Sequence, residues 1–127
     1  MKILCTICAR SGSKEVKNKN IIKIGRKILI DYTIDQAKKS KVFDKIVVST
    51  DSKKIINLTR KKVDFVIKRP LFLANDSSPK VLTIKHALQK SEKEFRNQFD
   101  LIVDLDVTSP LRNISDIKKA VIKLKKS

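Results

Sequence analysis

The sequence is poor in several residue types on which well-known classes of site depend. Among its 127 residues are two glycines, two cysteines, one histidine and no tryptophan, and aromatic residues make up 5%. The glycine-rich motifs G-x-x-x-x-G-K-[ST] and G-x-G-x-x-G are both absent, which excludes the P-loop ATPases and the dinucleotide-dependent dehydrogenases. The scarcity of aromatic rings leaves few surfaces on which nucleic-acid bases could stack.

Long apolar runs are also missing. No stretch of the sequence approaches the roughly 20 apolar residues that a membrane span requires. The N-terminal segment MKILCTICAR lacks the basic segment followed by a long apolar one that is typical of a signal peptide. We therefore expect a cytoplasmic protein that does not contact a membrane. Its hydrophobic content of 41% is sufficient for the core of one globular unit.

The two cysteines have the C-x-x-C spacing of zinc and redox sites, but Cys5 and Cys8 lie in an apolar run that is typical of a strand. Residues three apart in a strand point to opposite faces, so these thiols cannot share a metal ion there. No second cluster of cysteine and histidine supports a zinc site. We expect structural roles for both cysteines.

Positive charge is what the sequence has in excess. Its formal net charge of +17 would attract nucleic acid, anionic lipid or phosphorylated metabolites. Most lysines are scattered over the predicted helices, as on solvated faces, and are not gathered into one stripe. A basic nucleic-acid-binding module therefore stays an alternative, although no base-reading motif is recognisable.

Predicted strands and helices alternate along the chain. Short apolar runs predict strands at Lys2–Cys8, Lys45–Ser49, Asp64–Ile67 and Asp100–Leu105. Apolar spacing predicts helices at Ile28–Lys39, at Ser52–Lys62, after Ser78-Pro79, and from Ser115-Asp116 to Ser127. The alternation predicts a three-layer, Rossmann-like α/β fold with a mainly parallel sheet. Because the last helix has no stop signal, we expect a fold that is incomplete at its C-terminus.

Particular residues are expected to cap and bury these helices. Thr50 or Asp51 could cap the second helix, and Ser78-Pro79 fits the start of the third. The expected apolar stripe of the third helix is Val81, Ile84, Leu88 and Phe95. The expected stripe of the fourth is Ile117, Ala120, Val121 and Leu124.

A loop rich in cations and small residues follows the first predicted strand. Ligands of open parallel sheets bind at the carboxyl ends of the strands, where this loop begins. The backbone amides of Ser11, Gly12 and Ser13 could approach an anion, and the nearby Arg10, Lys14 and Lys19 could neutralise it. We expect the loop to hold phosphate groups, although Lys19 could also be a solvated lysine.

Five segments resemble, in order and spacing, motifs of the acylneuraminate (sialic-acid-type) cytidylyltransferases. They are ARSGSKEVKNKNI (9–21), VVSTD (47–51), RPLFLANDSS (69–78), HAL (86–88) and DVTSPLR (106–112). The resemblance implies a fold of the nucleotide-diphospho-sugar transferase type, with residues 1–127 as the N-terminal nucleotide-binding part and a C-terminal remainder absent. It also implies an enzyme that transfers CMP from CTP to the anomeric hydroxyl of a nonulosonic sugar acid, releases pyrophosphate with the help of Mg²⁺, and is a homodimer at full length.

The resemblance also implies roles for single residues. Lys19 and Arg10 are the implied catalytic residues, because phosphoryl transfer depends on positioning and charge neutralisation. Arg69 with the Ser77-Ser78 backbone would help to recognise cytosine, and the turn from Asp106 would border the acceptor sugar. The full implied substrate-binding set is Ala9, Arg10, Ser11, Gly12, Lys14, Lys19, Asn20, Arg69, Ser77, Ser78, Asp106 and Thr108.

Four positions depart from the family pattern. Glu15 replaces a usual glycine and would repel a triphosphate. Asp106 and Val107 stand where many relatives carry Gln-Pro, which would suit a different acceptor sugar. Lys80 occupies a position that is often small and polar.

Several acidic and titratable residues allow two interpretations. Asp104 and Asp106 would point both carboxylates to one face of a strand, which suits Mg²⁺ with Asp106 as a ligand, but Asp104 could simply lie within the sheet. Asp51 could bind a ribose or cap a helix. His86 could be a general base, but its mid-helix position favours packing or hydrogen bonding. A glycosyltransferase with an Asp-x-Asp metal site is a second enzyme hypothesis.

Overall fold

A parallel β-sheet with helices on both faces organises the chain. The computed structural model describes residues 1–9, 23–24, 27–70, 79–107 and 114–125. The strands in these ranges are β1 (Ile3–Ala9), β2 (Lys23–Ile24), β3 (Lys27–Ile28), β4 (Lys45–Thr50), β5 (Phe65–Lys68) and β6 (Leu101–Leu105). The helices are α1 (Leu29–Ser40), α2 (Lys53–Thr59), α3 (Lys80–Phe95) and α4 (Ile114–Lys125).

Four strands form the main sheet in the order β5-β4-β1-β6, and every neighbouring pair is parallel. The chain runs outward from β1 to β4 and β5, and α3 then leads back to β6 on the other side of β1. The strand order therefore reverses beside β1. In sheets of this kind, ligands bind at the carboxyl ends of the strands near that reversal.

The two faces of the sheet bury separate cores. Cys5, Ile7 and Ala9 of β1 pack on one face with residues of α1, α2 and α4, including Ile55 and Ile117. On the other face, Leu4, Val47 and Ile67 pack with Ala87 of α3. The alternation of β1 side chains between the faces follows from the two-residue period of a strand. The three-layer parallel α/β arrangement confirms the predicted fold class.

The packing of α3 differs from the stripe predicted for it. Its buried residues are Thr83, Ala87 and Ser91, whereas Val81 is 68% exposed, so the prediction for Val81 is wrong. Small side chains at four-residue spacing let the helix lie close to the sheet. Leu88 and Phe95 pack at the margin of this core as half-buried residues. Pro79 takes the N-cap position without a side-chain cap bond, while Ser78 lies outside the described residues.

Two smaller corrections concern α2 and α4. Ser52 caps α2, and its Oγ accepts a hydrogen bond from the backbone N–H of Ile55 at 3.2 Å, so the prediction of Thr50 or Asp51 as the cap is wrong. In α4, Ile117 and Val121 are buried as predicted. Ala120 is exposed, contrary to the prediction, and the side chain of Leu124 lies outside the described set.

An antiparallel pair, β2 with β3, was not predicted. Ile24 pairs with Lys27 and Lys23 with Ile28, which leaves two residues between the strands. The pair leads directly into α1.

Within the described residues, two helices end in a left-handed residue that is not glycine. Lys41 follows α1 with a φ of 57°, and Arg96 follows α3 with a φ of 53°. The N–H groups of Arg96 and Asn97 both donate to the carbonyl of Glu92, which closes the last turn of α3. No helix in the described ranges is both long and apolar enough to span a lipid bilayer.

Candidate functional site

The α3 face of the sheet changes from apolar to polar towards the carboxyl ends of the strands. Leu4 is followed on this face of β1 by Thr6 and Cys8, and Val47 of β4 is followed by Ser49. Thr6 and Ser49 are fully buried. We call the group at this end the polar cluster. Its members are Thr6, Cys8, Ser49, Arg69, Lys80, Asp104 and Asp106.

Asp104 is the centre of the polar cluster. Its register partner on β1 is Thr6, whose hydroxyl donates to Asp104 Oδ1 at 2.8 Å. The thiol of Cys8 donates to the same oxygen at 3.4 Å. The side chain of Asp104 is 13% exposed, so this carboxylate lies largely within the sheet, beside the point where the strand order reverses.

Lys80 joins the two aspartates at the first residue of α3. Its Nζ lies 2.7 Å from Asp104 Oδ2 and also bonds to Asp106 Oδ1. Because both carboxylates reach one nitrogen, the prediction that they point to the same side is confirmed. Burial disfavours the ammonium, but the hydrogen bonds and charges of Asp104 and Asp106 outweigh it and raise the pKa of Lys80 above its ordinary value of 10.5. Lys80 is therefore charged at neutral pH.

Arg69 lies on the neighbouring side of the polar cluster, just after β5. Its backbone N–H extends the sheet by donating to the carbonyl of Thr50 at 2.7 Å. Its side chain is turned toward β4, where Nη2 donates to the carbonyl of Ser49 at 3.1 Å and Nε contacts the Ser49 hydroxyl at 3.5 Å. The residue is 4% exposed. Two of its donors thus support the end of β4, and the predicted contact with cytosine stays a prediction.

The two cysteines occupy opposite faces of β1, as predicted. Cys5 is buried in the core on the α1 side, Cys8 is half-buried beside Asp104, and the two are not joined by a disulfide. Burial, followed by the negative charge of Asp104, raises the pKa of the Cys8 thiol from 9.0 to about 12. A thiol in this state is a hydrogen-bond donor and not a nucleophile.

His86 lies in the middle of α3, as the sequence indicated. Its Nδ1 is buried and has no hydrogen-bond partner within the described parts of the chain. Burial lowers the pKa of the imidazole, and the positive charges of Lys90 and Arg69 lower it further. The neutral ring is therefore the favoured form at neutral pH, in keeping with the packing role expected for it.

Most of the predicted site residues lie outside the described residues. These are Arg10, Ser11, Gly12, Lys14, Lys19, Asn20, Ser77, Ser78 and Thr108. Ala9, Arg69 and Asp106 are described. The side chain of Ala9 packs in the core on the α1 side, so only its backbone could face a nucleotide. Asp106 has a 62% exposed side chain at the end of β6.

The residues around Asp106 do not fit a metal ion in this arrangement. One oxygen of Asp104 accepts hydrogen bonds from Thr6 and Cys8, and Lys80 is bound to the other and to Asp106. An ammonium group thus lies where a cation shared by the two carboxylates would bind. Within the described ranges, no group of three or more His, Cys, Asp or Glu side chains is arranged to hold a metal ion.

Sequence reasoning missed four members of the polar cluster as site residues: Thr6, Cys8, Ser49 and Lys80. A usable signal existed for the three strand residues, because each is a polar side chain near the carboxyl end of an otherwise apolar buried strand. Lys80 had been noted as unusual, but its partners could not be deduced without the fold.

A comparison with known protein families shows to which family the chain belongs. A model of the cytidylyltransferase family matches residues 4–127. The chain belongs to the cytidylyltransferase family. This membership confirms the resemblance found in the five sequence segments.

Curated proteins are similar to this chain over most of its length. Post-translational flagellin modification protein B of Campylobacter coli is 51% identical over 120 residues, which are 94% of this chain and 51% of that protein. CMP-N,N'-diacetyllegionaminic acid synthase of Campylobacter jejuni is 49% identical over 110 residues, which are 86% of this chain and 47% of that protein. The chain spans about half the length of these two relatives.

Solved structures show the same fold. A CMP:2-keto-3-deoxy-manno-octonic acid synthetase complexed with CTP aligns with a TM-score of 0.83 at 17% identity, covering 100% of this chain and 48% of that one. A cytidylyltransferase from Leptospira borgpetersenii aligns with a TM-score of 0.68 at 25% identity, covering 97% of this chain and 48% of that one. These structures therefore confirm the predicted Rossmann-like α/β fold with its mainly parallel sheet.

Proposed function

We propose that the chain is the nucleotide-binding part of an enzyme that transfers CMP from CTP to a nonulosonic sugar acid. The observation that carries the proposal is the match of residues 4–127 to the cytidylyltransferase family. The names of relatives support the acceptor class, since they include synthases or cytidylyltransferases for N,N'-diacetyllegionaminic, pseudaminic and N-acylneuraminic acids.

In the proposed reaction, the anomeric hydroxyl oxygen of the sugar acid forms a bond to the α-phosphorus of CTP. The bond from that phosphorus to the β-phosphate bridging oxygen breaks, pyrophosphate leaves with the electron pair, and the hydroxyl proton passes to solvent water. Such a step depends on holding the reactants in line and on neutralising the phosphate charge. It requires no nucleophilic side chain, which agrees with a Cys8 thiol whose pKa is raised to about 12.

The fold supports a phosphate-binding role for the loop that follows β1. β1 lies beside the reversal of strand order, and Arg10 follows its last residue, Ala9. The positive charges of Arg10, Lys14 and Lys19 would be delivered at the carboxyl edge, where ligands of such sheets bind. We assign the triphosphate to Arg10, Lys14 and Lys19, and the catalytic neutralisation of charge to Lys19 and Arg10.

Further parts of the proposal come from the family resemblance. Mg²⁺ would accompany the triphosphate, and Asp104 and Asp106 do not fit it in the observed arrangement. Ser11, Gly12 and Asn20 would lie against the nucleotide, Arg69 with Ser77 and Ser78 near cytosine, and Asp106 and Thr108 near the acceptor. A cytoplasmic location and a homodimer at full length are also proposed.

Titration calorimetry with CTP and Mg²⁺ tests the nucleotide site. We expect Lys19→Ala to weaken CTP binding and to lower the rate of pyrophosphate release by on the order of 100-fold, because one charge-stabilising donor is removed. Lys38→Ala is the matched control, since it removes the same charge from an exposed position at the end of α1. Equal CTP affinity in the Lys19→Ala variant and wild type would contradict the assignment.

The released product separates this proposal from the alternatives. Pyrophosphate is expected when CTP is incubated with a nonulosonic acid, whereas a glycosyltransferase acting on a nucleotide sugar releases a nucleoside diphosphate. A nucleic-acid-binding module would bind DNA or RNA tightly, with a steep salt dependence and without competition from CTP.

A further inference from the structure

We propose that Lys80 is the built-in counter-ion of the Asp104–Asp106 pair, where it takes the place of a divalent metal ion and positions Asp106 for recognition of the acceptor. The metal-exclusion part rests on the described geometry alone. The part concerning the acceptor rests on the proposed function.

The first argument is the saturation of the aspartate pair. The carboxylate of Asp104 is bound on one oxygen by Thr6 and Cys8 and on the other by Lys80 at 2.7 Å. The same Lys80 nitrogen bonds to Asp106 Oδ1. A divalent ion shared by these carboxylates would have to displace the ammonium, because two cations cannot occupy one position between the same oxygens.

The second argument is the difference in exposure along this chain of contacts. The side chain of Asp104 is 13% exposed and is hydrogen-bonded by Thr6 and Cys8 of β1. The side chain of Lys80 is 49% exposed, and that of Asp106 is 62% exposed. Lys80 thus links a carboxylate held in the sheet to one that faces outward at the carboxyl edge. A charge-assisted bond to an anchored neighbour restricts the orientations that the Asp106 side chain can take.

The third argument concerns what the outward carboxylate can recognise. A carboxylate accepts hydrogen bonds, and the hydroxyl and amide N–H groups of an acylated sugar acid donate them. The same Asp106 oxygens would bind a metal ion if Lys80 were absent. Because Lys80 occupies the space between the aspartates, Asp106 binds these donors and not a metal ion. Lys80 and Asp106 together thus determine specificity for the acceptor.

Mn²⁺ titration followed by electron paramagnetic resonance, in the absence of nucleotide, tests whether Lys80 excludes a divalent metal ion from the aspartate pair. We expect Lys80→Met to bind one more Mn²⁺ per chain than wild type at millimolar Mn²⁺, and Lys80→Met/Asp106→Asn to lose it again. Lys85→Met is the matched control, because Lys85 is exposed on the same helix. Circular dichroism and the unfolding midpoint verify that each variant is folded.

Two outcomes of this titration would overturn the inference. One is a folded Lys80→Met variant that gains no Mn²⁺. The other is a wild-type protein that already binds Mn²⁺ at this pair, recognised by the loss of that ion in Asp106→Asn. If Lys80→Met does not fold, Lys80→Gln supplies the same test with a neutral polar side chain.

Kinetics test the positioning role. Lys80→Met is expected to raise the KM for the sugar acid by on the order of tenfold, the usual effect of a lost charge-assisted hydrogen bond, with the KM for CTP unchanged. Lys80→Arg should restore the KM, since a guanidinium can bridge two carboxylates. If Lys80→Met raises the KM for CTP as much as the KM for the sugar acid, the proposed positioning of Asp106 is refuted. It is also refuted if Lys80→Arg does not restore the KM for the sugar acid. Failure of the wild type to bind CTP would instead refute the proposed function, and the Mn²⁺ result would still decide the exclusion.

Discussion

Asp104 has a second effect at the scale of single residues, on the thiol beside it. Burial and the charge of Asp104 raise the pKa of Cys8 to about 12, so at pH 8 almost none of this thiol is ionised. Since the thiolate is the reactive form, Cys8 should resist alkylation in the folded protein.

Asp104→Asn is expected to make Cys8 more reactive, because it removes the negative charge that disfavours the thiolate. Each unit by which the pKa falls raises the thiolate fraction about tenfold, and the labelling rate rises by a smaller factor because a less basic thiolate is a weaker nucleophile. The rate would be measured with iodoacetamide at pH 8 in a Cys5→Ala background, so that one thiol reports. Asp116→Asn, at an exposed position of α4, is the charge-matched control. A labelling rate unchanged by Asp104→Asn would show that Asp104 does not hold the proton on Cys8.

At this scale, a contact could be predicted from the sequence only where its two residues are close together along the chain. The two-residue period of a strand predicted that the carboxylates of Asp104 and Asp106 point to the same side. The bond from Thr6 to Asp104 spans 98 positions, and that from Lys80 to Asp106 spans 26, so both required knowledge of which strands are neighbours. Local spacing carries no information about such pairs.

At the scale of the secondary-structure elements, the conformation of the residue that ends a helix affects stability. Arg96 adopts the left-handed conformation at the end of α3, with a φ of 53°. A side chain with a Cβ atom pays a steric penalty in this conformation that glycine does not. This feature could not be predicted from the sequence, because the usual signal for it is glycine.

Arg96→Gly is expected to raise the free energy of unfolding by up to about 1 kcal/mol, since the relief of steric strain exceeds the added freedom of glycine in the unfolded chain. Urea unfolding with an unchanged m-value would measure the gain. Arg96→Ala removes the same charge but keeps the Cβ atom, so it should give no comparable gain. Equal stability of the glycine and alanine variants would contradict the explanation.

The strands and helices themselves were more predictable than the way they pack. Continuous apolar runs located the four parallel strands, because strands buried on both faces leave little polar periodicity. The stripe assigned to α3 was wrong at Val81 because burial there favours the small residues Thr83, Ala87 and Ser91. Hydrophobicity alone does not reveal where a helix must approach a sheet closely.

For the molecule as a whole, the charge of +17 is the dominant electrostatic property. Like charges on one small domain repel one another and destabilise the compact state. Ion pairs such as Lys80 with Asp104 act in the opposite sense, but lysine and arginine outnumber aspartate and glutamate by 30 to 13. Repulsion should therefore determine the response of stability to salt.

Raising NaCl from 10 mM to 1 M is expected to increase the thermal unfolding midpoint. Over this range the Debye length falls from about 30 Å to about 3 Å, which screens the repulsion. Differential scanning calorimetry at each salt concentration would measure the change, with chloride preferred to sulfate because a doubly charged anion could bind at a phosphate site. A midpoint that falls steadily with NaCl would mean that ion pairs outweigh the net charge.

The position of β1 at the centre of the sheet has a consequence for biosynthesis. β1 is synthesised before its partner β6, which begins at Leu101, and the bond between Thr6 and Asp104 joins residues 98 positions apart. A ribosome must therefore translate most of this sequence before β1 can pair with β6 at the edge of the sheet. While the nascent polypeptide waits, one edge of β1 has no neighbour, and premature pairing with another molecule is the hazard that chaperones would have to prevent.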